Sequence, residues 1–377
     1  MRKCLACKEK LLVDPLMTLY DMPASAQNIP DEKQVKNDHG IKLRLCQCPQ
    51  CGLVQFDCEP VSYYRDVIRS GGYSTTMHDL RYSQYKHLIE TYHLENKKFI
   101  EVGCGQGEFL SVLEEFSVQG FGIENKKDLV EIARKKGLNV NQGFVEDGKS
   151  EIEGAPFDVF LSFNFLEHQP NPNGMLQGIY NNLADDGMGL ITVPSLEYIL
   201  KYAGYYELIR DHLAYYTFET LGFILQKNGF DVLEQEIVNR DTLAMIVRKR
   251  KKVNISNLVK SYEYIRKEIV EFVDEEIKKE HKVGIWGASH QGFTLAATAE
   301  LGDKVTYIID SAPFKQKKYA PTSHIPIISP DFAVDNPVDT VIIIAPGYTD
   351  EIAEIIQKRF PTNTTIMVMK SNHLEKY

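Results

Sequence analysis

The segment 99–109 (FIEVGCGQGEF) constrains the fold of this 377-residue chain more than any other stretch of the sequence. It begins with an apolar run typical of a buried strand, and Gly103, Gly105 and Gly107 follow at alternate positions. A helix is predicted to begin near Glu108. Glycines let the backbone approach a ligand closely, and a helix N-terminus favours negative or lone-pair density. The segment therefore predicts a strand–turn–helix unit of an α/β sheet, with a ligand at the turn.

Two carboxylates narrow the choice of ligand. Glu101 precedes the first glycine by two residues, where a methyltransferase would place an acid near the amino-acid part of S-adenosylmethionine (SAM). Glu124 ends the next predicted strand, where an acid can accept both ribose hydroxyls. A nicotinamide-dependent enzyme would carry the same ribose acid. Glu124 alone therefore leaves both SAM and a dinucleotide open.

Three later segments favour SAM. Residues 143–147 follow the third predicted strand and place Glu146 for an adenine amino group. Residues 157–168 (FDVFLSFNFLEH) form a fourth strand that runs into Asn164, and residues 183–194 form the turn into a fifth. In this order the segments resemble the class I SAM-dependent methyltransferases. We therefore expect the glycines, Glu101, Glu124, Glu146 and Asn164 to bind SAM.

The seven cysteines all lie within the first 104 residues. Cys4 and Cys7 form one Cys-x-x-Cys pair, and Cys48 and Cys51 form a second. Four thiolates satisfy tetrahedral Zn²⁺ and leave no position open for a substrate, so the predicted zinc is structural. The neighbouring Cys46 leaves the choice of thiols open. Reduced core cysteines or a nucleic-acid zinc ribbon are the alternatives.

Charge and hydropathy exclude several partners. The chain has 43 basic and 52 acidic residues, a net charge of −9, which argues against a nucleic-acid partner. No apolar run approaches the length of a membrane span or forms a signal peptide, so we expect no membrane partner and a cytoplasmic protein.

The sequence predicts three domains. Residues 1–60 contain the cysteine pairs, and residues 61–250 alternate strands with helices, with a helix in 61–96 ahead of the first strand. Residues 251–377 begin with an amphipathic helix over 254–281, and a second strand–glycine–helix series follows it.

Two histidines are candidates for acid–base work. His168 follows the fourth predicted strand and His212 follows the fifth. The carboxyl ends of parallel strands meet at the edge where such sheets bind ligands. A neutral imidazole suits proton transfer near pH 7, although each histidine could equally serve packing.

Over its whole length the sequence resembles the nucleotide-sugar C-methyltransferases of deoxysugar biosynthesis. The matching segments are 48–55 (CPQCGLVQ), 283–292 (VGIWGASHQG), 310–316 and 321–327. The resemblance implies an α/β protein in three parts: a small N-terminal zinc-binding module, a class I (Rossmann-like) methyltransferase domain and a second, C-terminal Rossmann-like domain that helps bind a nucleotide sugar. Taken alone, the 283–292 turn would suggest NAD.

The resemblance also implies a mechanism. A base removes the acidic hydrogen beside the carbonyl of a 4-keto sugar, and the resulting enolate carbon attacks the SAM methyl group. His212, paired with Asp211, is the implied base, and His168 and Tyr73 are further implied site residues.

The chain departs from the family at several positions. Ile209 replaces an expected tyrosine, segment 69–74 is altered, and Lys317 and Thr322 replace glycines. O- or N-methylation of a nucleotide sugar and a non-catalytic binding role therefore remain as alternatives. The sequence does not indicate an oligomeric state.

Overall fold

A computed structural model of the chain describes residues 3–11, 14–67 and 73–377. The chain forms two compact units, the first ending at Lys252 and the second beginning at Val253. The predicted segments 1–60 and 61–250 thus fall within one unit, and the division between them stays a prediction. None of the described helices has both the length and the apolar character needed to cross a membrane.

The first unit contains the strands β1 (Met17–Met22), β2 (Ile41–Gln47), β3 (Val54–Phe56), β4 (Lys98–Val102), β5 (Gln119–Glu124), β6 (Val140–Gln142), β7 (Phe157–Phe163), β8 (Leu183–Pro194), β9 (Ala214–Tyr215), β10 (Phe230–Val238) and β11 (Thr242–Lys249). Its α-helices are α1 (Thr75–Tyr92), α2 (Lys127–Lys135), α3 (Pro172–Asn182), α4 (Leu196–Tyr202) and α5 (Phe218–Lys227). Short 3₁₀ helices cover Val35–Asn37, Leu110–Glu115, Leu166–His168 and Tyr205–Glu207.

The large sheet of this unit has the order β10-β11-β8-β7-β4-β5-β6. Strands β4 to β8 are parallel, and β10 and β11 add an antiparallel edge. The strand order reverses between β4 and β7, so ligands are expected outside the carboxyl ends of these two strands. β7 (FDVFLSF) is apolar nearly throughout and buried, as a central parallel strand must be.

The segment after the glycines differs from the prediction. A helix was expected from about Glu108, but a turn comes first and a 3₁₀ helix covers Leu110–Glu115. Its apolar residues Leu110, Val112 and Leu113 are buried in the core beneath the sheet. The glycine turn is therefore followed by a 3₁₀ helix rather than by the predicted α-helix.

A second, antiparallel sheet has the order β1-β2-β3-β9. Its fourth strand comes from far along the chain, because Val54 pairs with Tyr215 and Gln55 with Ala214. The loop after β8, which contains His212, is thereby joined by main-chain hydrogen bonds to the cysteine-rich segment.

The second unit contains the helices α6 (Ser256–Lys278), α7 (His290–Thr298), α8 (Pro330–Asp335) and α9 (Thr349–Arg359), with the 3₁₀ helix Pro346–Tyr348. Its strands are β12 (Val283–Trp286), β13 (Tyr307–Ile309), β14 (Ile327–Ile328), β15 (Thr340–Ile343), β16 (Thr365–Met369) and β17 (Leu374–Lys376). The sheet order is β14-β13-β12-β15-β16-β17, parallel except for β17. The helix predicted over 254–281 is α6.

Candidate active site

The glycine turn after β4 requires glycine for two reasons. Gly103, Gly105 and Gly107 have φ of 77°, 57° and 78°, the left-handed region that residues with a Cβ rarely adopt. A Cβ on Gly107 would also lie 2.2 Å from Cδ1 of Leu138, and one on Gly103 would lie 3.2 Å from the Phe165 ring. The backbone of this turn can therefore lie against a ligand with no side chain between them.

Glu124 lies at the carboxyl end of β5, facing the glycine turn. One carboxylate oxygen accepts the Gly105 amide at 3.0 Å and the other accepts the Lys126 amide at 2.8 Å. Burial raises the pKa of Glu124, and these backbone N–H groups oppose that rise. Each oxygen retains a lone pair, so the carboxylate can still accept the two hydroxyls of a ribose.

Glu101, Asn164 and Glu146 occupy three different environments. Glu101 is fully buried in β4. Asn164 follows β7 in the left-handed region with φ of 49°, and its amide oxygen accepts the Thr192 hydroxyl at 2.7 Å. Glu146 is exposed and forms an ion pair with Arg65 at 2.6 Å. Their predicted contacts with SAM remain predictions.

The two predicted histidines meet at the carboxyl end of the sheet. His168 ends the 3₁₀ helix after β7, and its ring centroid lies 4.7 Å from that of His212 in an edge-on arrangement. Nδ1 of His168 donates to the Asp211 carbonyl at 2.8 Å, which fixes the tautomer and leaves Nε2 as the acceptor. Ligand atoms of Glu167, His168 and His212 all lie within 4.8 Å of one another.

Burial sets the charges of this cluster. It raises the pKa of Glu167 to about 8 and lowers the pKa of His168. Burial, together with the adjacent His168, lowers the pKa of His212 to about 3. Near pH 7 the carboxyl group is therefore predominantly protonated and both imidazoles are neutral.

The contacts of Asp211 differ from the pairing expected from sequence. Its carboxylate accepts the Tyr63 hydroxyl at 2.6 Å and the Ala26 amide at 2.8 Å, while its carbonyl binds His168. Next to it, Arg210 donates to the Ala24 carbonyl at 2.8 Å. Among the described residues, the Asp211 carboxylate thus binds Ala26 and Tyr63 rather than the His212 imidazole, and its carbonyl sets the tautomer of His168.

Tyr73, the predicted site tyrosine, and Tyr215, in β9, have different contacts. Tyr73 packs its ring beside Phe109 and His78, with centroid distances of 6.3 and 6.2 Å, and segment 69–72 beside it lies outside the described residues. The Tyr215 hydroxyl accepts the Ile209 amide at 2.9 Å and donates to the Ile209 carbonyl at 3.1 Å. The backbone at Ile209 is thus held by a neighbouring phenol. A catalytic role for Tyr73 remains a prediction.

Glu167 and Tyr63 are two residues of this region that the sequence motifs do not predict. Glu167 lies in segment 157–168, between Leu166 and His168. An acid that follows a largely apolar strand is the sequence feature that could have indicated its role. Tyr63 gave none, because its partner Asp211 is 148 residues away along the chain.

The four predicted metal-binding cysteines converge. Sγ of Cys4 lies 3.5 Å from Sγ of Cys51, and Sγ of Cys7 lies 3.3 Å from that of Cys48, with all four sulfurs within 4.8 Å of one another. Tetrahedral zinc with bonds of about 2.3 Å places its sulfurs about 3.8 Å apart. The thiol cluster therefore fits one such ion after small adjustments. Cys46 is outside this cluster.

The second unit has its own glycine turn after β12. Gly287 has φ of 128°, and Asp310, directly after β13, accepts the Ala288 amide at 3.1 Å. The same carboxylate accepts the ammonium of Lys315 at 2.9 Å. Lys317 and Thr322, which replace family glycines, have left-handed φ of 60° and 66°. The backbone shape that glycine favours is therefore present without the glycines.

Known protein families match segments of both units. A methyltransferase domain family covers residues 77–235, and the C-methyltransferase C-terminal domain family covers residues 249–369. The C-methyltransferase NovU of Streptomyces niveus is 22% identical over 387 aligned residues, spanning 93% of this chain and 91% of the relative. Together, the two family models and this relative support a C-methyltransferase family for the chain. It is a SAM-dependent methyltransferase. The glycine turn with Glu124 remains the predicted SAM-binding region.

Other similarities cover a smaller part of the chain. A ubiquinone biosynthesis O-methyltransferase of Actinobacillus pleuropneumoniae is 27% identical over 129 residues, 29% of this chain and 55% of the relative. A SAM-dependent methyltransferase structure from Clostridium acetobutylicum has a TM-score of 0.38 and 12% identity, covering 46% of this chain and 92% of that chain. The magnesium protoporphyrin IX methyltransferase from Synechocystis with bound SAH has a TM-score of 0.37 and 15% identity, covering 49% and 92%.

Proposed function

We propose that this enzyme transfers the methyl group of SAM to a carbon atom of a nucleotide-linked keto sugar. The observation that carries the proposal is the pair of neutral imidazoles, His168 and His212, in contact at the carboxyl edge of the sheet. Transfer to carbon requires a base that first removes a carbon-bound proton. The nearly full-length similarity to a protein named as a C-methyltransferase supports carbon as the acceptor.

The chemistry proceeds in two steps. His212 takes the proton from the carbon beside the ketone, and the electron pair of that C–H bond forms the enolate. The enolate carbon then attacks the SAM methyl carbon, the carbon–sulfur bond breaks, and S-adenosylhomocysteine leaves. General-base help of this kind contributes a factor of about 10²–10⁴.

The remaining assignments follow from the same proposal. The glycines, Glu101, Glu124, Glu146 and Asn164 bind SAM, and Tyr73 contacts the substrate. Residues 1–60 bind structural zinc, residues 61–250 carry out the transfer, and residues 251–377 help hold the nucleotide. Cys4, Cys7, Cys48 and Cys51 would hold the zinc, which supplies only a fold-stabilising crosslink.

The test is incubation with SAM and a panel of 4-keto nucleotide sugars, with products analysed by mass spectrometry and NMR. We expect a new carbon–carbon bond beside the ketone. Without SAM, we expect solvent deuterium to enter at that carbon. His212→Asn should stop the exchange, whereas His87→Asn, a surface histidine paired with Glu234, should not. A methyl group found on oxygen or nitrogen would select the alternative acceptors instead.

A further inference from the structure

We propose that Glu167 is a positioning residue whose carboxylate provides the counter-charge for the imidazolium formed when His212 accepts the substrate proton. This inference rests on the proposed function, because it assigns His212 the role of base. It extends that function to a residue which need not touch the sugar or SAM.

Glu167 is buried without a hydrogen-bond partner. Its exposure is 1%, and neither of its side-chain oxygens is hydrogen-bonded within residues 3–11, 14–67 and 73–377. Such a group costs free energy, so its presence calls for an explanation. Its Oε1 lies 3.9 Å from Nε2 of His168, and the same three-residue cluster includes His212. The carboxyl group is therefore next to the two imidazoles and is bound to neither.

The buried cluster disfavours a lone positive charge. Protonation of His212 would place an imidazolium away from water and beside a second imidazole, which is why its pKa is low. An ionised carboxylate less than 5 Å away removes much of that penalty, since charges interact strongly where water is excluded. Ionised Glu167 would therefore make His212 a stronger base.

The direction of the pH dependence follows from the proton count. Burial raises the pKa of Glu167 to about 8, so near pH 7 most molecules carry a proton there. That proton must first pass to solvent, and His212 can then take the substrate proton while the pair stays neutral overall. Proton abstraction should therefore accelerate as the pH rises through about 8.

The other titratable groups around Glu167 do not replace it. Burial raises the pKa of both Tyr215 and Tyr216 far above the range concerned, so both phenols stay neutral. The Asp211 carboxylate is engaged by Tyr63 and the Ala26 amide. Glu167 is thus the acid of this cluster expected to change its charge between pH 7 and 9.

A substrate-free experiment tests the electrostatic half of the proposal. ¹⁵N NMR of histidine-labelled protein should show the ring signals of His168 and His212 responding to a titration with a midpoint near 8 in the wild type. Glu167→Gln should abolish this response. Ser162→Ala, which removes another buried hydrogen-bonding group without a described partner, should preserve it. The same titration in Glu167→Gln would overturn the proposal.

Deuterium exchange into the keto sugar tests the catalytic half. We expect the wild-type rate to rise through about pH 8, and the Glu167→Gln rate to be flat with pH and about 10- to 100-fold lower at pH 9. Glu167→Asp should restore part of the rate and the pH dependence. A variant that loses rate while keeping the wild-type pH profile would point to packing and overturn the proposal.

Two controls separate the possible failures. If the wild type exchanges no proton of any keto sugar, the proposed function fails, while the NMR titration still decides the charge of Glu167.

Because Glu167, His168 and His212 also form a metal-type ligand set, elemental analysis accompanies each variant. Loss of a bound metal ion in Glu167→Gln would overturn the counter-charge role. SAM affinity equal to that of the wild type establishes that the Glu167→Gln variant is folded. If it is not folded, Glu167→Asp is titrated instead, and because its shorter side chain moves the carboxylate, the midpoint of the histidine response should shift; an unchanged midpoint would overturn the proposal.

Discussion

Each unit of the chain has a glycine turn and an acid at the end of the next strand, yet the two acids have different partners. Glu124 accepts two backbone amides, and no cationic side chain pairs with it among the described residues. Asp310 also accepts two backbone amides, those of Ala288 and Ala312, but in addition binds the Lys315 ammonium. The same position in a Rossmann-like sheet thus contains an available carboxylate in one unit and a neutralised one in the other.

The different partners indicate different roles: Glu124 is available to bind a ligand, whereas Asp310 supports the fold of the second unit. A ribose-binding acid must keep lone pairs for hydroxyl groups, whereas a salt-bridged acid has already committed much of its charge. We therefore expect changes in the first unit to alter SAM binding and changes at Asp310 to alter stability. The single tryptophan, Trp286, lies in β12, so its fluorescence reports unfolding of the second unit specifically.

The largest expected effect is loss of the zinc site. Cys48→Ser should remove one ligand and lower the free energy of unfolding of the first unit by more than about 4 kcal/mol, since metal binding and folding are linked. Circular dichroism would follow that unfolding, and the Trp286 transition should not move. Cys58→Ser, outside the thiol cluster, is the control. Freshly purified wild-type protein without zinc by elemental analysis would contradict the assignment.

The second-largest expected effect is on the stability of the second unit and concerns its buried acid Glu276. Burial alone would raise the pKa of Glu276, but hydrogen bonds from Thr340, Lys279 and His281 outweigh it and lower the pKa to about 2. Since this lies below the ordinary value of 4.5, the ionised acid stabilises the fold above about pH 4.5 and that stabilisation is lost as the pH falls through about 2.

Glu276→Gln should therefore lower the stability of the second unit at pH 7 by up to about 3 kcal/mol, with the difference shrinking toward pH 2. Denaturation followed by Trp286 fluorescence measures it. The exposed Glu271, paired with Lys267 at 3.7 Å, provides the control variant Glu271→Gln. A pH-independent difference would show that packing, not charge, sets the effect.

Glu124→Ala should weaken SAM binding by about 1.5–3 kcal/mol, or roughly 10- to 150-fold, because two hydroxyls lose a charged acceptor. Calorimetry measures the affinity. Glu131→Ala on α2 removes an exposed acid and should leave affinity unchanged. Wild-type affinity in Glu124→Ala would remove the ribose assignment and with it the contrast with Asp310.

The smallest expected effect concerns Asp310 itself. Asp310→Asn retains the shape of the side chain but loses the charge that binds Lys315, at a cost of about 1–2 kcal/mol in the Trp286 transition. SAM affinity should not change. Weaker SAM binding in this variant would mean that the second unit contributes to cofactor binding after all.

Local spacing was sufficient to predict the frame of the site. The distance from the glycines to Glu124 is set by one strand and one connection, so the position of the acid follows from the order of elements. The four cysteines were predictable for the same reason, because a Cys-x-x-Cys turn fixes its own geometry. The 3₁₀ helix after Gly107 was not predictable, since its residues 110–113 are apolar enough for either helix type and packing decides between them.

The contacts within the histidine cluster depend on tertiary structure. Asp211 is next to His212 in sequence, which suggested a pair, but folding directs its carboxylate to Tyr63 and its carbonyl to His168. The low pKa of His212 and the high pKa of Glu167 result from burial by residues distant in sequence. Neither pKa shift could be predicted from the spacing of residues along the sequence.

The two-residue strand β9 has a consequence for how the protein can be shortened. Because Ala214 and Tyr215 complete a sheet whose other strands lie before residue 57, a chain beginning at residue 61 would lack the partner of β9 and the amide of Ala26. The loop containing His212 would keep its sequence but lose its anchorage. Such a truncated enzyme would retain the glycine turn while the contact between His168 and His212 loosens, so SAM affinity would be a poor guide to the integrity of the histidine cluster.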